Sequence, residues 1–336
     1  MKKIVTFGEI MMRLSAPLNS RFIQADQLNI TYGGGEANVA ASLAHLGIPA
    51  SHVTCFPDND LGRAAAAFCR KYGVETADML FEGQRLGLYF LEVGASMRPS
   101  KIIYDRADSA FANLNPDSFD WEAILKEAQW FHWTGITPAI SATAAQACAD
   151  AIRTARQLGI TVSADVNYRK NLWQYGKTVQ EVMPELVAGC DIVVCAEADA
   201  EDILGIVPDT HEPNSFVSVS RQLMQRFPNI RQVITTRRET LSASHNRLKA
   251  ISFDKNGYIE TPVYDINPIV DRIGGGDAFM AGFIYGSLHY TAMPEILTFA
   301  VAASALKHTV EADVNLVTAA EVVEVMQGNT SGRLVR

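Results

Sequence analysis

No stretch of the 336-residue chain approaches the roughly 18 consecutive apolar residues that a membrane-spanning helix requires, although 48% of its residues are hydrophobic. The opening Met1-Lys2-Lys3-Ile4-Val5-Thr6-Phe7-Gly8 holds too short an apolar run for a secretory signal. Cysteine is scarce, and Cys55, Cys69, Cys148, Cys190 and Cys195 include no C-x-x-C spacing. An odd number without metal-like pairing argues against a disulfide framework and predicts reduced thiols in a cytoplasm. Positive charge is also short: 29 Lys and Arg against 37 Asp and Glu give a formal net charge of -8. A duplex binder needs a positive face, so a nucleic-acid partner is not expected. The same deficit means that an anionic substrate must be met by individually placed arginines. Internal repeats, low-complexity segments and interdomain linkers are lacking too. The apolar content therefore predicts one large domain over residues 1–336 with ample core, and only Gly328–Arg336 reads as a loose tail.

What is present is an alternation of short apolar runs with amphipathic or small-residue segments. Strands are expected at Ile4–Phe7, Val53–Phe56, Trp130–Trp133, Thr161–Asp165, Asp191–Cys195 and Gln232–Thr236. Helices are expected at Glu36–Leu46, Leu61–Tyr72, Ser141–Leu158 and Thr178–Val187, and again starting from Gly275, Pro294 and Thr318. Such alternation implies an α/β fold, a mostly parallel central sheet with helices on both faces. The rhythm breaks between about Glu82 and Tyr104, where Leu86–Val93 and Lys101–Tyr104 flank Gly94-Ala95-Ser96 with no helix between them. This reads as an inserted antiparallel hairpin. Ile10–Leu14 and Phe22–Thr31 are candidates for further strands of the same small sheet, making a lid of residues 10–32 and 82–110.

The strongest chemical signal is Asp271-Arg272-Ile273-Gly274-Gly275-Gly276-Asp277-Ala278-Phe279. Glycines directly before a helix leave amides uncovered and let a phosphate approach closely, and the helix N-terminus favours negative charge there. A second anion at that place would repel the phosphate, so Asp277 makes sense as a base facing an attacking hydroxyl. Taken alone, the same residues also fit a glycine turn with Asp277 as a helix cap.

The segment resembles the D-T-x-G-A-G-D-x-F signature of the ribokinase-like (PfkB) carbohydrate kinases. Gly33-Gly34-Gly35-Glu36-Ala37-Asn38-Val39-Ala40 resembles the family's first signature, and Asp58-Asn59-Asp60-Leu61-Gly62 its following D-x-x-G. The resemblance implies a ribokinase-like fold and ATP-dependent phosphorylation of a sugar with Mg²⁺, and leaves a monovalent-cation requirement open. It makes Asp277 the base and Gly274, Gly275 and Gly276 the anion hole. Gly34 would let the sugar lie against the backbone, and Asn38 would hold that loop or the sugar.

Two clusters bear on the acceptor. In Tyr104-Asp105-Arg106, alternation along a strand puts Tyr104 and Arg106 on one face, with Tyr89 on the partner strand. Asp165-Val166-Asn167-Tyr168-Arg169 follows a central strand and belongs at the sheet's ligand-binding carboxyl end. Arginines and tyrosines converging on one pocket suit a carboxylate, though each arginine could equally be a surface ion-pair residue. Both clusters are similar to motifs of 2-keto-3-deoxygluconate kinases. That resemblance implies a sugar acid phosphorylated at its terminal C6 hydroxyl and contacted by Gly34, Tyr89, Tyr104, Arg106, Asn167 and Arg169. Ile136, in Trp133-Thr134-Gly135-Ile136, would line the same pocket.

The nucleotide side departs from the family's spelling. Where N-x-x-E is usual, the chain has Ala196-Glu197-Ala198-Asp199, leaving Asp199 and Glu197 as candidate Mg²⁺ ligands or as a solvated acidic helix start. Where a T-x-G-x-x-G loop is usual, it has Ile234-Thr235-Thr236-Arg237-Arg238-Glu239. Thr236 and Arg237 are the nucleotide candidates there, with Gly274 and Gly276, and Ala303 and Lys307 border the adenine by resemblance. His308 reads as a packed or capping residue. Three readings stay open: a sugar-acid kinase, a kinase of a neutral sugar such as fructose or ribose, and a sensor that binds both ligands without transfer. The free edges of the lid point to a homo-oligomer formed through it.

Overall fold

The computed structural model describes residues 2–332; Met1 and Arg333–Arg336, the end of the expected tail, lie outside the described residues. A nine-stranded sheet runs in the order Gly257–Glu260, His245–Asp254, Gln232–Ser242, Ile192–Val194, Thr161–Asp165, Ala128–Thr134, Lys3–Phe7, Ala50–Val53, with Tyr264–Ile266 pairing off His245–Asp254. From Gln232–Ser242 to Ala50–Val53 every pairing is parallel, and the remaining ribbon is antiparallel.

The parallel strands are apolar on both faces, as a sheet sandwiched between helices demands. Val5, Phe7, Phe131, Val162 and Val193 point to one side, against the helices Ala142–Gln157, Val179–Ala188 and Ser215–Arg226. Ile4, Trp130, Ile192 and Ile234 point to the other, against Gly35–His45, Gly275–His289 and Met293–Lys307. The last two helices pack with almost no gap. A Cβ on Gly282 would stand 2.8 Å from the Ala300 backbone, so nothing larger than glycine fits the crossing. That contact fixes the helix whose first turn carries Asp277.

A separate four-stranded sheet, in the order Asn29–Gly33, Met11–Ser15, Leu88–Glu92, Lys101–Asp105, covers the carboxyl end of the large sheet. The inserted hairpin is present, with Tyr89 opposite Tyr104. Three expectations need correction. Only Asn29–Gly33 of the stretch 22–31 is a strand; Phe22–Gln24 is a 3₁₀ turn whose first amide donates to Glu92. The run 53–56 splits, because Cys55–Phe56 leaves the large sheet to pair with Leu80–Phe81. Gln232–Thr236 does not end at Thr236 but continues to Ser242, held by its antiparallel partner His245–Asp254 even where it has no apolar face. Among the described residues, no helix is long and apolar enough to cross a membrane.

Candidate active site

Between the carboxyl end of the parallel strands and the small sheet lies a cavity of about 480 Å³. Its floor is the turn Gly274–Asp277, and one wall is the segment Gly33–Asn38. Tyr89, Tyr104 and Arg106 reach in from the small sheet, and Ile136, Asp165, Asn167 and Arg169 from the strand ends. Every residue expected from sequence to face the sugar therefore borders one space.

Gly274 caps the helix Gly275–His289 with φ 81°, a left-handed conformation that glycine adopts without strain, and a Cβ there would lie 1.9 Å from the Asp313 carbonyl oxygen. At Gly276 a Cβ would meet nothing within 4 Å, so this side of the residue is open, and it borders the cavity. The first amides of this helix have no intrahelical acceptor, which leaves them available to an anion. Asp277 is half-buried and accepts a hydrogen bond from Asn38 Nδ2 at 2.7 Å. Burial pushes its carboxyl up to about 7; Asn38 and Lys307 oppose the rise, while Asp313 and Glu36 add to it. A carboxylate poised near neutrality suits a general base better than one at the ordinary value. Nothing in this geometry resembles a helix cap, since no side chain caps the helix and the carboxylate is engaged by Asn38 instead.

Asn38 is positioned by its own helix, which Glu36 anchors. The buried Glu36 carboxylate accepts from the Thr134 amide (3.0 Å) and hydroxyl (2.8 Å), at the end of a central strand, and from the Thr137 hydroxyl (2.7 Å) at the start of the short helix that follows. Gly34 borders the cavity and also needs to be glycine for a packing reason. It is extended (φ -174°), and its missing Cβ makes room for the Glu9 carbonyl oxygen, which would be 2.0 Å away. Gly35 is the glycine that faces the base: a Cβ there would lie 3.5 Å from Asp277 Oδ1.

On the small sheet, the Arg106 guanidinium is bound through Nε (2.8 Å) and Nη2 to the buried carboxylate of Glu9, which also accepts from Ser109 Oγ at 2.5 Å. Tyr89 donates its hydroxyl to Asp313, leaving its ring as the wall beside Tyr104, with centroids 6.1 Å apart. Arg169 is exposed, borders the cavity and donates to the carbonyl of Tyr168; among the described residues it forms no salt bridge, but its charge opposes the upward shift of the nearby Asp165 and Asp199 carboxyls. Glu9 and Asp313 were not singled out from the sequence, and neither was Arg13. Arg13 is a buried small-sheet residue that binds Asp271 at 2.6 Å and Asp313 at 2.5 Å. Asp271 heads the second signature and was legible as part of it; Arg13 carries no local sequence signal.

Of the nucleotide candidates, Gly274 and Gly276 border the cavity, whereas Thr236, Arg237, Ala303 and Lys307 do not. Arg237 is bound to both carboxylate oxygens of Glu197 and lies over the Phe216 ring, and Glu197 also accepts from Ser215. Thr236 is a half-buried position of a continuous strand, because a segment without glycine has no reason to turn. Ala303 and Lys307 have no solvent exposure. His308 is packed against Gly275 and bonded to Ser304 O, a structural histidine whose burial lowers its pKa to about 4. Arg238 and Arg272 stand at the cavity instead, and Arg238 also borders a groove of about 230 Å³ along the antiparallel ribbon. Of the metal candidates, Glu197 is engaged by Arg237, whereas Asp199 lies near Asp165. Burial, then Asp199 and Asp277, push Asp165 up to about 7. Among the described residues, no group of three or more His, Cys, Asp or Glu side chains forms a cage for a metal.

The sequence profile of the pfkB family carbohydrate kinases matches residues 1–318. The chain belongs to the PfkB family of carbohydrate kinases. It is 32% identical to the 2-dehydro-3-deoxygalactonokinase of Haloferax volcanii over 98% of either chain. The crystal structure of 2-dehydro-3-deoxygluconokinase from Thermotoga maritima superposes with a TM-score of 0.92 at 42% identity, covering 98% of this chain and 100% of that one. A PfkB family carbohydrate kinase from Listeria grayi gives 0.91 at 33% identity, with 97% and 100% covered. The ribokinase-like α/β architecture with its added small sheet is thus the PfkB fold, and the two glycine signatures are the PfkB signatures.

Proposed function

We propose that this PfkB kinase transfers the γ-phosphoryl group of ATP to the terminal C6 hydroxyl of 2-keto-3-deoxygluconate, giving 2-keto-3-deoxy-6-phosphogluconate. The observation that carries the acceptor class is Arg169, a cavity-bordering cation that makes no salt bridge among the described residues, together with Arg106 and the Tyr89–Tyr104 wall. A carboxylate between two guanidinium groups gains charge-assisted hydrogen bonds that a neutral sugar cannot. The names of the relatives, both 2-dehydro-3-deoxy sugar-acid kinases, support the same class.

The chemistry follows from position. The acceptor hydroxyl lies against Gly35 beside Asp277, which takes its proton. The oxygen then bonds to the γ-phosphorus while the bond from that phosphorus to the oxygen of the leaving ADP breaks. The Gly274–Gly276 amides receive the charge on the transferred oxygens. The family implies Mg²⁺, and the donor chemistry fits one that keeps its waters: Asp165 and Asp199 are neighbouring carboxylates whose other contacts are few. Bound there, the ion would neutralise charge on the ATP phosphates. The ATP itself is read as running past Arg238 and Arg272 into the groove that Arg238 shares.

The small sheet acts as a lid that keeps water from the phosphoryl group. Its edge strands, Asn29–Gly33 and Lys101–Asp105, expose Ile30 (59%) and Ile103 (56%), which supports a homo-oligomer through this sheet. Five buried thiols suit a reducing cytoplasm.

One observation favours a neutral sugar: Glu9 already satisfies much of Arg106. A coupled assay of ATP with 2-keto-3-deoxygluconate, 2-keto-3-deoxygalactonate, fructose and ribose separates the readings. A sugar acid is expected to exceed fructose in kcat/KM by at least about 100-fold, the worth of a charged hydrogen-bond pair. Equal turnover of fructose would sink the carboxylate argument.

A further inference from the structure

Lys307 ends the helix Met293–Lys307 and is fully buried. A lysine stem ordinarily carries its ammonium out to water. Here the ammonium turns inward and donates to two main-chain carbonyl oxygens, Asp271 O at 3.3 Å and Val310 O at 3.0 Å. Neither acceptor is a carboxylate. The nearby Asp271 and Asp313 side chains bind Arg13, so neutralising them does not account for where the lysine's hydrogen bonds go. Burial lowers its pKa, against the opposing pull of Asp271, Asp313 and Asp277.

Both acceptors belong to segments that shape the anion hole. Asp271 opens the turn leading to Gly274, and Val310 opens the turn leading to Asp313. The Asp313 carbonyl would lie 1.9 Å from a Cβ on Gly274, and the Lys307 Cε lies 3.3 Å from the same point. Gly274 is therefore wedged between that carbonyl and the lysine.

We propose that Lys307 is a positioning residue for phosphoryl transfer, a fixed internal cation that ties the Asp271 turn to the Val310 turn beneath the Gly274–Gly276 amides. It acts through those amides and the field behind them, without touching either substrate. Truncating it would leave a hole lined by two carbonyl oxygens, which small ammonium ions are built to fill.

The inference rests on the proposed function for its kinetic arm only. In the full chain, Lys307→Met removes the charge at similar volume, and Lys307→Gln keeps two N–H donors without it. Either is expected to lower kcat on 2-keto-3-deoxygluconate by about 10- to 100-fold, below the effect of deleting a direct oxyanion donor. KM for the sugar acid is expected to stay within about threefold, the mark of an interaction made only in the transition state. Lys307→Ala should regain at least about tenfold in kcat with ammonium or methylammonium chloride relative to choline chloride. Without any substrate, its Tm should rise with the same two salts, as mass action requires of a bound ion. A neutral variant with kcat within threefold of the parent overturns the proposal. So does an alanine variant indifferent to both ions, or failure of both neutral variants to fold, which would make the ammonium structural. If the parent chain phosphorylates no sugar acid, the functional reading fails while the melting arm still decides the fate of the Lys307 site.

Discussion

The sugar side and the nucleotide side of the cavity are built by different means. On the sugar side, side chains project from strand ends and from the paired strands of the small sheet. Their directions are set by backbone alternation and locked by buried partners such as Glu9 and Glu36. On the nucleotide side, a straight strand stands where PfkB kinases usually have a glycine loop, and one of its two arginines is bound to Glu197. Backbone amides cannot cradle phosphates along a paired strand, since pairing uses them. On the proposed reading, phosphate binding then falls to arginine side chains and to the helix N-terminus at Gly274. The proposed acceptor would thus be held by rigid scaffolding and the donor by flexible cations.

The largest test of that division is the group between the two sides. Asp277→Asn keeps an oxygen for Asn38 but cannot accept the hydroxyl proton, and kcat is expected to fall on the order of 10²–10⁴-fold, with the sugar-acid KM nearly unchanged. A variant within tenfold of the parent's turnover would remove the base assignment. The parent's kcat/KM should fall as pH drops below about 7, where the carboxyl becomes protonated. Stability moves the opposite way. A carboxyl whose pKa rises from 3.8 unfolded to about 7 folded favours the folded state most at low pH, and that contribution is lost as pH rises through 7. The substituted amide never ionises, so the variant should melt higher than the parent at pH 8, on the order of a degree or two. The difference should vanish toward pH 4.

How far sequence carried the site follows the same line. Asp277, Asn38, Tyr104, Arg106 and Arg169 were legible because strand periodicity and signature spacing fix where such side chains point. The central strands and most helices were legible for the same reason. Glu9, Arg13 and Asp313 were not, because their roles are long-range: Arg13 meets Asp271 and Asp313 across most of the chain, and no local pattern marks a buried ion network. The continuation of the strand past Thr236 was missed because its outer half is polar and is held by pairing, not by an apolar face. The packing reason for Gly34 was likewise invisible in the sequence, because the Glu9 carbonyl that its missing side chain admits belongs to another segment.

Within the sugar side, the two arginines give a finer comparison. Arg169→Met removes an exposed cation that makes no salt bridge among the described residues. Its expected effect is a KM for the sugar acid raised about 10- to 100-fold, with turnover of neutral sugars and Tm unchanged. Arg106→Met should raise the same KM and also lower Tm, because it strands the buried Glu9 carboxylate. Equal Tm values for the two variants, measured by calorimetry, would show that the Glu9 pair contributes nothing to the fold.

The smallest expected effect lies on the nucleotide side, and it separates two adjacent arginines. Arg238 borders both the cavity and the ribbon groove and has no acidic partner among the described residues, while Arg237 is held by Glu197. If side-chain cations replace the glycine cradle, Arg238→Ala should raise KM for ATP about 3- to 10-fold with the sugar-acid KM unaltered. An exposed pair of this kind is worth only on the order of 1 kcal/mol. The difference should shrink as salt rises, because an exposed guanidinium and a phosphate are screened over about 10 Å at 0.1 M ionic strength. Arg237→Ala should move KM for ATP less, since its charge is already matched. The reverse order, with Arg237 the more sensitive, would mean that ATP displaces Glu197 from Arg237 on binding. The strand would then open toward the nucleotide after all, and the two sides of the cavity would be built alike.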